Sequence, residues 1–307
     1  MQTVLFDLGG VVLTWEPHRA YEQVMAAADV PAFMAEIDFP GWNASHDAGR
    51  AYADGEADLL QRFPDRAAAI VAYREHFGHT LTGAVPGTGA VLAELGQAGV
   101  RLIGLTNWSA ETFPHAVERF GLLRRFEGIV VSGAEGLAKP DPAIFGLVLD
   151  RYQLDPAEVI FVDDAARNVL AAESVGMTGH RFVSADALRE FLVSRGVLTP
   201  ARPVRGPIHH VADRQAWADA ETGLGYPWSG RGMDYEAEGF VHCSFTAQLP
   251  DVLQRYYADV DWSELVLLEL DPAGLPVVVE DLGHGPYPHL FAELTPSMVR
   301  HAAVGRG

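Results

Sequence analysis

Thr3-Val-Leu-Phe6 is a short apolar, β-branched and aromatic run that reads as a buried strand, with Asp7 directly behind it. Runs of the same kind return at Val100–Leu105, Phe126–Ser132, Glu158–Val162 and about 179–183. Between them the spacing changes to the three-and-four rhythm of helices, at 88–98, at 110–120, over Ala143–Leu149 and from Asn168 to Ser174. Residues 17–80 interrupt this alternation. They carry helical spacing in Ala20-Tyr21-Val24-Met25 and again over Arg66–Phe77, with no strand-like run between, and Pro86-Gly87 punctuates their end. The order predicts an α/β domain over 1–198 with a parallel sheet, and a helical cap insert at about 15–85.

Thr199 to Pro207 is rich in proline, lacks apolar periodicity and reads as a linker. Beyond it, 208–307 reads as a smaller α+β domain. Short strands are expected at Ile208–Val211, Gly239–Ser244, Leu265–Leu270 and Val277–Glu280, with the clearest helix at about 247–258.

Composition narrows the function classes. A formal charge of −19 argues against nucleic acid or an anionic membrane as partner, because no basic surface is available to release counterions. A single cysteine, Cys243, excludes an internal disulfide and fits a reducing compartment. No basic stretch precedes an apolar one at the N-terminus, and no apolar run is long enough to span a bilayer. A cytoplasmic protein is expected. Lys139 is the only lysine in a chain whose other basic side chains are arginines, which marks a position needing a compact ammonium on a flexible stem.

Chemistry gathers at the strand ends. Asp7 precedes Gly9 and Gly10, which allow a tight turn with close backbone approach. The second strand ends in Thr106-Asn107-Trp108-Ser109, a hydroxyl and an amide able to face an oxyanion, with Ser109 as a helix cap. Lys139 lies on a loop between Gly136 and Pro142 at a helix start, electrostatically unfavourable unless an anion sits there too. The fourth strand ends in Asp163-Asp164, whose mutual repulsion a divalent cation would relieve. Crossovers in a parallel sheet bring such ends to one edge. The set is complete for phosphoryl transfer: a carboxylate nucleophile, a hydroxyl and an ammonium for phosphoryl oxygens, and acids for Mg²⁺.

Residues 1 to about 197 resemble the haloacid dehalogenase superfamily. The four motifs are Phe6-Asp7-Leu-Gly-Gly-Val11, Leu105-Thr106-Asn107, Ala138-Lys139-Pro140-Asp141 and Val162-Asp163-Asp164. The resemblance implies a Rossmann-like sheet with a small helical cap, Asp7 as nucleophile, and Mg²⁺ held by Asp7, the Gly9 carbonyl, Asp163 and Asp164. Thr106 and Lys139 complete the catalytic set, with Asn107 and Gly10 beside the substrate. One departure matters: family phosphatases usually carry a second Asp, the general acid, where this chain has Gly9. Losing such an acid costs on the order of 10²–10⁴-fold in rate, least for leaving groups already stable as anions. The dehalogenase branch also lacks that Asp but keeps no Asp-Asp pair, so a phosphatase of a small phosphorylated metabolite, a sugar phosphate or nucleotide-like, is the expectation. A 2-haloacid dehalogenase and a weakened, ligand-binding domain are the alternatives. Substrate choice is expected from the cap stretch holding Trp42, His46 and Arg50.

In the second domain His210, His242 and His289 lie at or beside strands, and Ser244 is expected on the same strand face as His242. Glu238–Ser244 and Tyr287–Phe291 resemble DUF952, a family of uncharacterised domains grouped with ADP-ribosyltransferase-like folds. That resemblance implies a role connected with NAD or ADP-ribose. A zinc site is the poorer reading, since no carboxylate or cysteine completes a familiar ligand spacing.

Overall fold

The computed structural model describes residues 2–200 and 203–304. By contact the chain forms two compact units, one of Met1–Val85, Gly99–Arg119 and Leu123–Phe191, the other of Pro86–Ala98, Phe120–Leu122 and Leu192–Gly307. The compact units therefore do not follow the linear division at 199–207. The helix Thr88–Gln97 groups with the second unit because Ala90 and Ala93 bury their small side chains with Phe240, Val278 and Phe291.

In the first unit β1 (Thr3–Phe6), β4 (Arg101–Thr106), β5 (Gly128–Val131), β6 (Val159–Asp163) and β7 (Thr178–Arg181) form one parallel sheet in the order β5-β4-β1-β6-β7. Continuous runs such as Leu5, Ile103, Val130 and Phe161 are fully buried, as expected of parallel strands covered by helices. The chain leaves β1 towards β4 and β5, then crosses to β6 on the other side. The switch point of the topology thus falls at the end of β1, where open α/β sheets place their ligands. In register, Phe6 is level with Gly104 and Val162, so Asp7 and Asp163 follow side by side. The Asp7 N–H continues the pairing by donating to Val162 O at 2.8 Å.

Between β1 and β4 the chain builds the cap. A short antiparallel ribbon of β2 (Leu13–Trp15) and β3 (Leu81–Ala84), absent from the sequence reading, joins its two ends. The helices Val30–Glu36, Phe39–Asp47, Tyr52–Arg62 and Ala67–Glu75 close on an aromatic core of Tyr21, Phe39, Trp42, Tyr52 and Tyr73.

The second unit is antiparallel. β8 (Ile208–Asp213) sits within a four-stranded sheet with β12 (Ser244–Phe245), β13 (Leu265–Leu270) and β16 (Val299–Val304), in the order β12-β8-β13-β16. β11 (Val241–His242), β14 (Val277–Asp281) and β15 (Pro286–Leu290) form another, with β15 central, and β9 (Trp228–Gly230) pairs with β10 (Met233–Asp234). The strand expected over Gly239–Ser244 is therefore two, divided at Cys243. Val241–His242 pairs with β15 and Ser244–Phe245 with β8, so His242 and Ser244 do not share a strand. The helix Arg214–Glu221, capped by Asp213 accepting from Ala216 N, and the edge strand β16 were not read from sequence.

Candidate active site

Three charges meet at the C-terminal edge of the parallel sheet. Lys139 Nζ lies 2.9 Å from Asp7 Oδ1 and donates to Asp163 Oδ2 at 2.7 Å. Lys139 is 3% exposed, Asp7 8% and Asp163 0%, so water does little to screen them. Asp163 has further donors, accepting also from Ala165 N at 2.8 Å and Asn168 Nδ2 at 3.0 Å. Asp7 has only the ammonium and Leu8 N, at 2.7 Å. Burial pushes the Asp7 carboxyl up, and the Lys139 ammonium is the chief influence opposing it.

Asp164 completes an acidic group. Ligand oxygens of Asp7, Asp163 and Asp164 lie within 4.8 Å of one another. Burial, and then the neighbouring Asp163 charge, raise the Asp164 carboxyl above its ordinary range. Two buried carboxylates and the exposed Asp164 lie about a single ammonium, an excess of negative charge that suits a divalent cation. The local backbone is shaped for this approach. Gly10 has φ +75°, and a Cβ there would stand 2.9 Å from Asp164 Oδ2, so only glycine lets the turn and the carboxylate meet. Gly9 is different: a Cβ there would meet nothing within 4 Å.

Thr106 ends β4 with its side chain buried. Asn107, expected beside the substrate, instead grips the loop that carries the lysine. Its Nδ2 donates to Lys139 O and its Oδ1 accepts from Lys139 N, both at 2.8 Å. It sets the place from which the ammonium reaches the two carboxylates. Ser109 caps its turn by accepting from Glu111 N at 3.2 Å.

The cap residues expected to select substrate are occupied elsewhere. Trp42 is 8% exposed, wedged between Phe39, His46, Tyr52 and Tyr73 in the cap's own core. Arg50 pairs with Asp58 and donates to Asp54 O, both on the next helix. His46 is fully buried, donates Nδ1–H to Arg50 O at 2.9 Å and stacks on Tyr52. Among the described residues, none of the three makes a hydrogen bond or ion pair with Asp7, Lys139 or Asp163.

Asp47, which sequence reading missed, lies within electrostatic range of Asp7 and Lys139. It is the last residue of the helix Phe39–Asp47 and accepts from Asn43 Nδ2 at 2.9 Å, while the Ser109 backbone N–H favours its charged form. Burial, and then the charge of Asp7, push its carboxyl up to about 7. A carboxylate at a helix C-terminus opposes the helix dipole, and that misplacement was the available signal.

In the second unit a cavity of about 360 Å³ is lined by His210, His242, Ser244, Glu280 and His289, among others. His289 donates Nδ1–H to Glu280 Oε2 at 3.0 Å, leaving Nε2 as an acceptor with no partner among the described residues. His242 stands edge-on to it at 5.3 Å between ring centroids, and burial lowers its imidazole to about 4. Ser244 is buried and donates to His209 O at 3.4 Å. His210 is a structural group. Its Nδ1–H donates to His242 O at 2.8 Å, so its Nε2 accepts from Tyr226 O–H at 2.9 Å, and no nitrogen is left for a ligand.

Comparison with known proteins agrees with this geometry. Residues 1–176 match the family model of haloacid dehalogenase-like hydrolases. The chain belongs to that family. Among the relatives of this haloacid dehalogenase-like hydrolase is the phosphoglycolate phosphatase of Vibrio cholerae serotype O1, 28% identical over 184 residues, covering 57% of this chain and 81% of that protein. The sesquiterpene phosphatase astK of Aspergillus oryzae is 30% identical over 179 residues, covering 58% of this chain and 88% of that one. A crystal structure of the HAD family enzyme bt-2542 from Bacteroides thetaiotaomicron shares the fold, with a TM-score of 0.53, 18% identity and coverage of 62% of this chain and 98% of the other. Residues 211–302 match DUF952, a protein family of unknown function. This chain is thus a haloacid dehalogenase-like hydrolase, with phosphatases among its relatives, carrying a DUF952 domain.

The DUF952 domain holds His210 neutral, with burial depressing its imidazole from 6.5 to about 4. An unfolded chain binds that proton more readily, so the stability is fully present above pH 6.5 and drains away as pH falls towards 4. The loss reaches about 3 kcal/mol at the lower end. Melting temperature measured from pH 7.5 to 4.5 is expected to fall with a steeper slope for the native chain than for His210→Gln.

Proposed function

We propose that the haloacid dehalogenase-like unit is a Mg²⁺-dependent phosphatase of a small phosphorylated metabolite, a sugar phosphate or nucleotide-like ester. It acts in the cytoplasm, where its lone buried thiol, Cys243, stays reduced. The observation that carries this reading is the single buried ammonium shared by Asp7 and Asp163 beside a third carboxylate, Asp164. A metal-free dehalogenase has no use for that excess of acid. Asp7, the Gly9 carbonyl, Asp163 and Asp164 would hold the ion, which supplies positive charge opposite the phosphoryl oxygens when bound.

The chain's own residues account for the rest. Asp7 attacks phosphorus, the ester oxygen departs, and the aspartyl phosphate is then hydrolysed by water. Lys139 and the Thr106 hydroxyl meet charge that develops on the phosphoryl oxygens. Asn107 keeps the lysine in place through both of its backbone bonds. The two phosphatases among the relatives support the same reaction class.

Phosphate release from a broad ester panel, with Mg²⁺ and with chelator, tests the reading. Turnover is expected with the metal and is expected to vanish without it. Metal-independent halide from a 2-haloacid would favour the dehalogenase branch, and tight ester binding without turnover would favour a binding module.

For the DUF952 domain we propose a ligand related to NAD or ADP-ribose. The unpartnered His289 Nε2, oriented by Glu280 into a cavity large enough for part of such a molecule, supports it. NAD or ADP-ribose is expected to raise the melting temperature of the native chain but not of His289→Ala. No shift with either ligand would end this reading.

A further inference from the structure

We infer that Asp47, delivered by the cap, protonates the departing oxygen and later takes a proton from water, work that position 9 cannot do without a side chain. This rests on the phosphatase reading of the same site.

Gly9 brings no functional group, yet a phosphate ester with a basic leaving group still needs a proton as its bond breaks. Asp47 is fastened to the sheet edge through its backbone. Its carboxylate accepts from Asn43 Nδ2 at 2.9 Å and feels the backbone N–H of Ser109, three residues beyond Thr106. Its backbone oxygen accepts from Ser132 Oγ, at the start of the short helix Ser132–Glu135 that follows β5. Two residues on, Gly49 has φ +102° and lies so close that a Cβ would come within 3.2 Å of Gly133 O. The cap is thereby seated with this carboxyl on the same edge as the nucleophile, within the electrostatic reach of Asp7 and Lys139. The other ionisable neighbours that feel its charge are Tyr52 and Tyr73 of the cap core.

Two influences favour the protonated form in the resting site. The end of the helix Phe39–Asp47 disfavours negative charge, and burial, the largest influence, raises the carboxyl. In the first displacement an Asp7 oxygen bonds to phosphorus and the phosphorus–oxygen bond to the leaving group breaks. The proton of Asp47 passes to that oxygen, and the alcohol leaves. In the second, water attacks phosphorus and gives its proton to the Asp47 carboxylate. The Asp7–phosphorus bond breaks, and inorganic phosphate and both starting carboxyl states are restored.

A series of para-substituted phenyl phosphates with Mg²⁺ separates this role from a structural one. Phenol, with a pKa of about 10, needs the proton, and the far more acidic p-nitrophenol leaves without it. Because kcat/KM reports only the steps up to departure of the leaving group, Asp47→Asn is expected to lose on the order of 10²-fold in kcat/KM on phenyl phosphate and about threefold or less on p-nitrophenyl phosphate. Retained kcat/KM on p-nitrophenyl phosphate reports that the variant is folded. Adding Gly9→Asp, where the turn has open space, is expected to recover most of the loss on phenyl phosphate. Equal losses in kcat/KM on both esters in Asp47→Asn and also in Asp47→Ser, with unchanged circular dichroism, would overturn the assignment, as would no loss on either. A native enzyme silent on every ester would instead overturn the phosphatase reading itself.

Discussion

Asp7→Asn is expected to lose turnover by on the order of 10⁴-fold or more while melting at the same temperature as the native chain or above it. The two halves of this result have one cause. Asp7 is a nearly buried carboxylate that burial strains towards neutrality, and the Lys139 ammonium is its chief compensation. An amide of the same shape removes the desolvation penalty, and Lys139 keeps its 2.7 Å bond to Asp163. The amide is also far too weak a nucleophile to form the covalent intermediate. A variant that is dead yet no less stable is the mark of a residue retained for chemistry against the interest of the fold. A parallel fall in melting temperature would place Asp7 in the structural framework.

Lys139→Met is expected to produce the opposite pattern, losing activity and stability together. It leaves Asp7 and Asp163 buried without a cation, and breaking a buried pair in this way costs about 3–5 kcal/mol. For a domain of this size the melting temperature should fall by on the order of 10 °C. Mg²⁺ is expected to return part of that loss by taking over the charge balance. Combining Lys139→Met with Asp7→Asn is expected to return part as well, and the double-mutant cycle measures the coupling directly. Lys139→Arg is not expected to substitute. The ammonium, itself buried, is a point charge shared between two oxygens above the Phe161 ring, 5.5 Å from its centroid. A planar fork is too wide for that place. Scanning calorimetry of the native chain and the four variants, with and without Mg²⁺, reads these differences. An unchanged melting temperature for Lys139→Met in the absence of metal would contradict the charge account.

The features that sequence revealed share a physical origin. Buried parallel strands are continuous apolar runs, and their C-terminal ends converge wherever right-handed crossovers connect them. Asp7, Thr106, Lys139, Asp163 and Asp164 could therefore be placed on one edge from order alone, and the sheet brings four of them into direct contact or close approach. Contacts that cross elements were not visible. Asn107 looked like a substrate ligand because nothing local shows that both ends of its amide would be taken by the Lys139 backbone, 32 residues away. Trp42 and Arg50 stood out as an aromatic and a cation in a polar stretch. The helical phase that buries Trp42 among cap aromatics, and brings Asp58 up to Arg50, only emerges once four short helices pack. Asp47 was hidden in that same stretch as an ordinary surface acid. In the second domain, alternation placed His242 and Ser244 on one strand, but the chain changes sheets at Cys243. Imidazoles are equally deceptive in sequence: His210 is consumed by a carbonyl and a phenol, whereas His289 keeps a free nitrogen.

The central claim is that Asp7 is the nucleophile of a metal-dependent phosphatase. Phosphate release by the native chain and by Asp7→Asn, each with Mg²⁺ and with chelator across one panel of metabolite esters, tests it most directly. Release confined to the native chain with metal is the predicted result. Release that survives either the substitution or the chelator would contradict it.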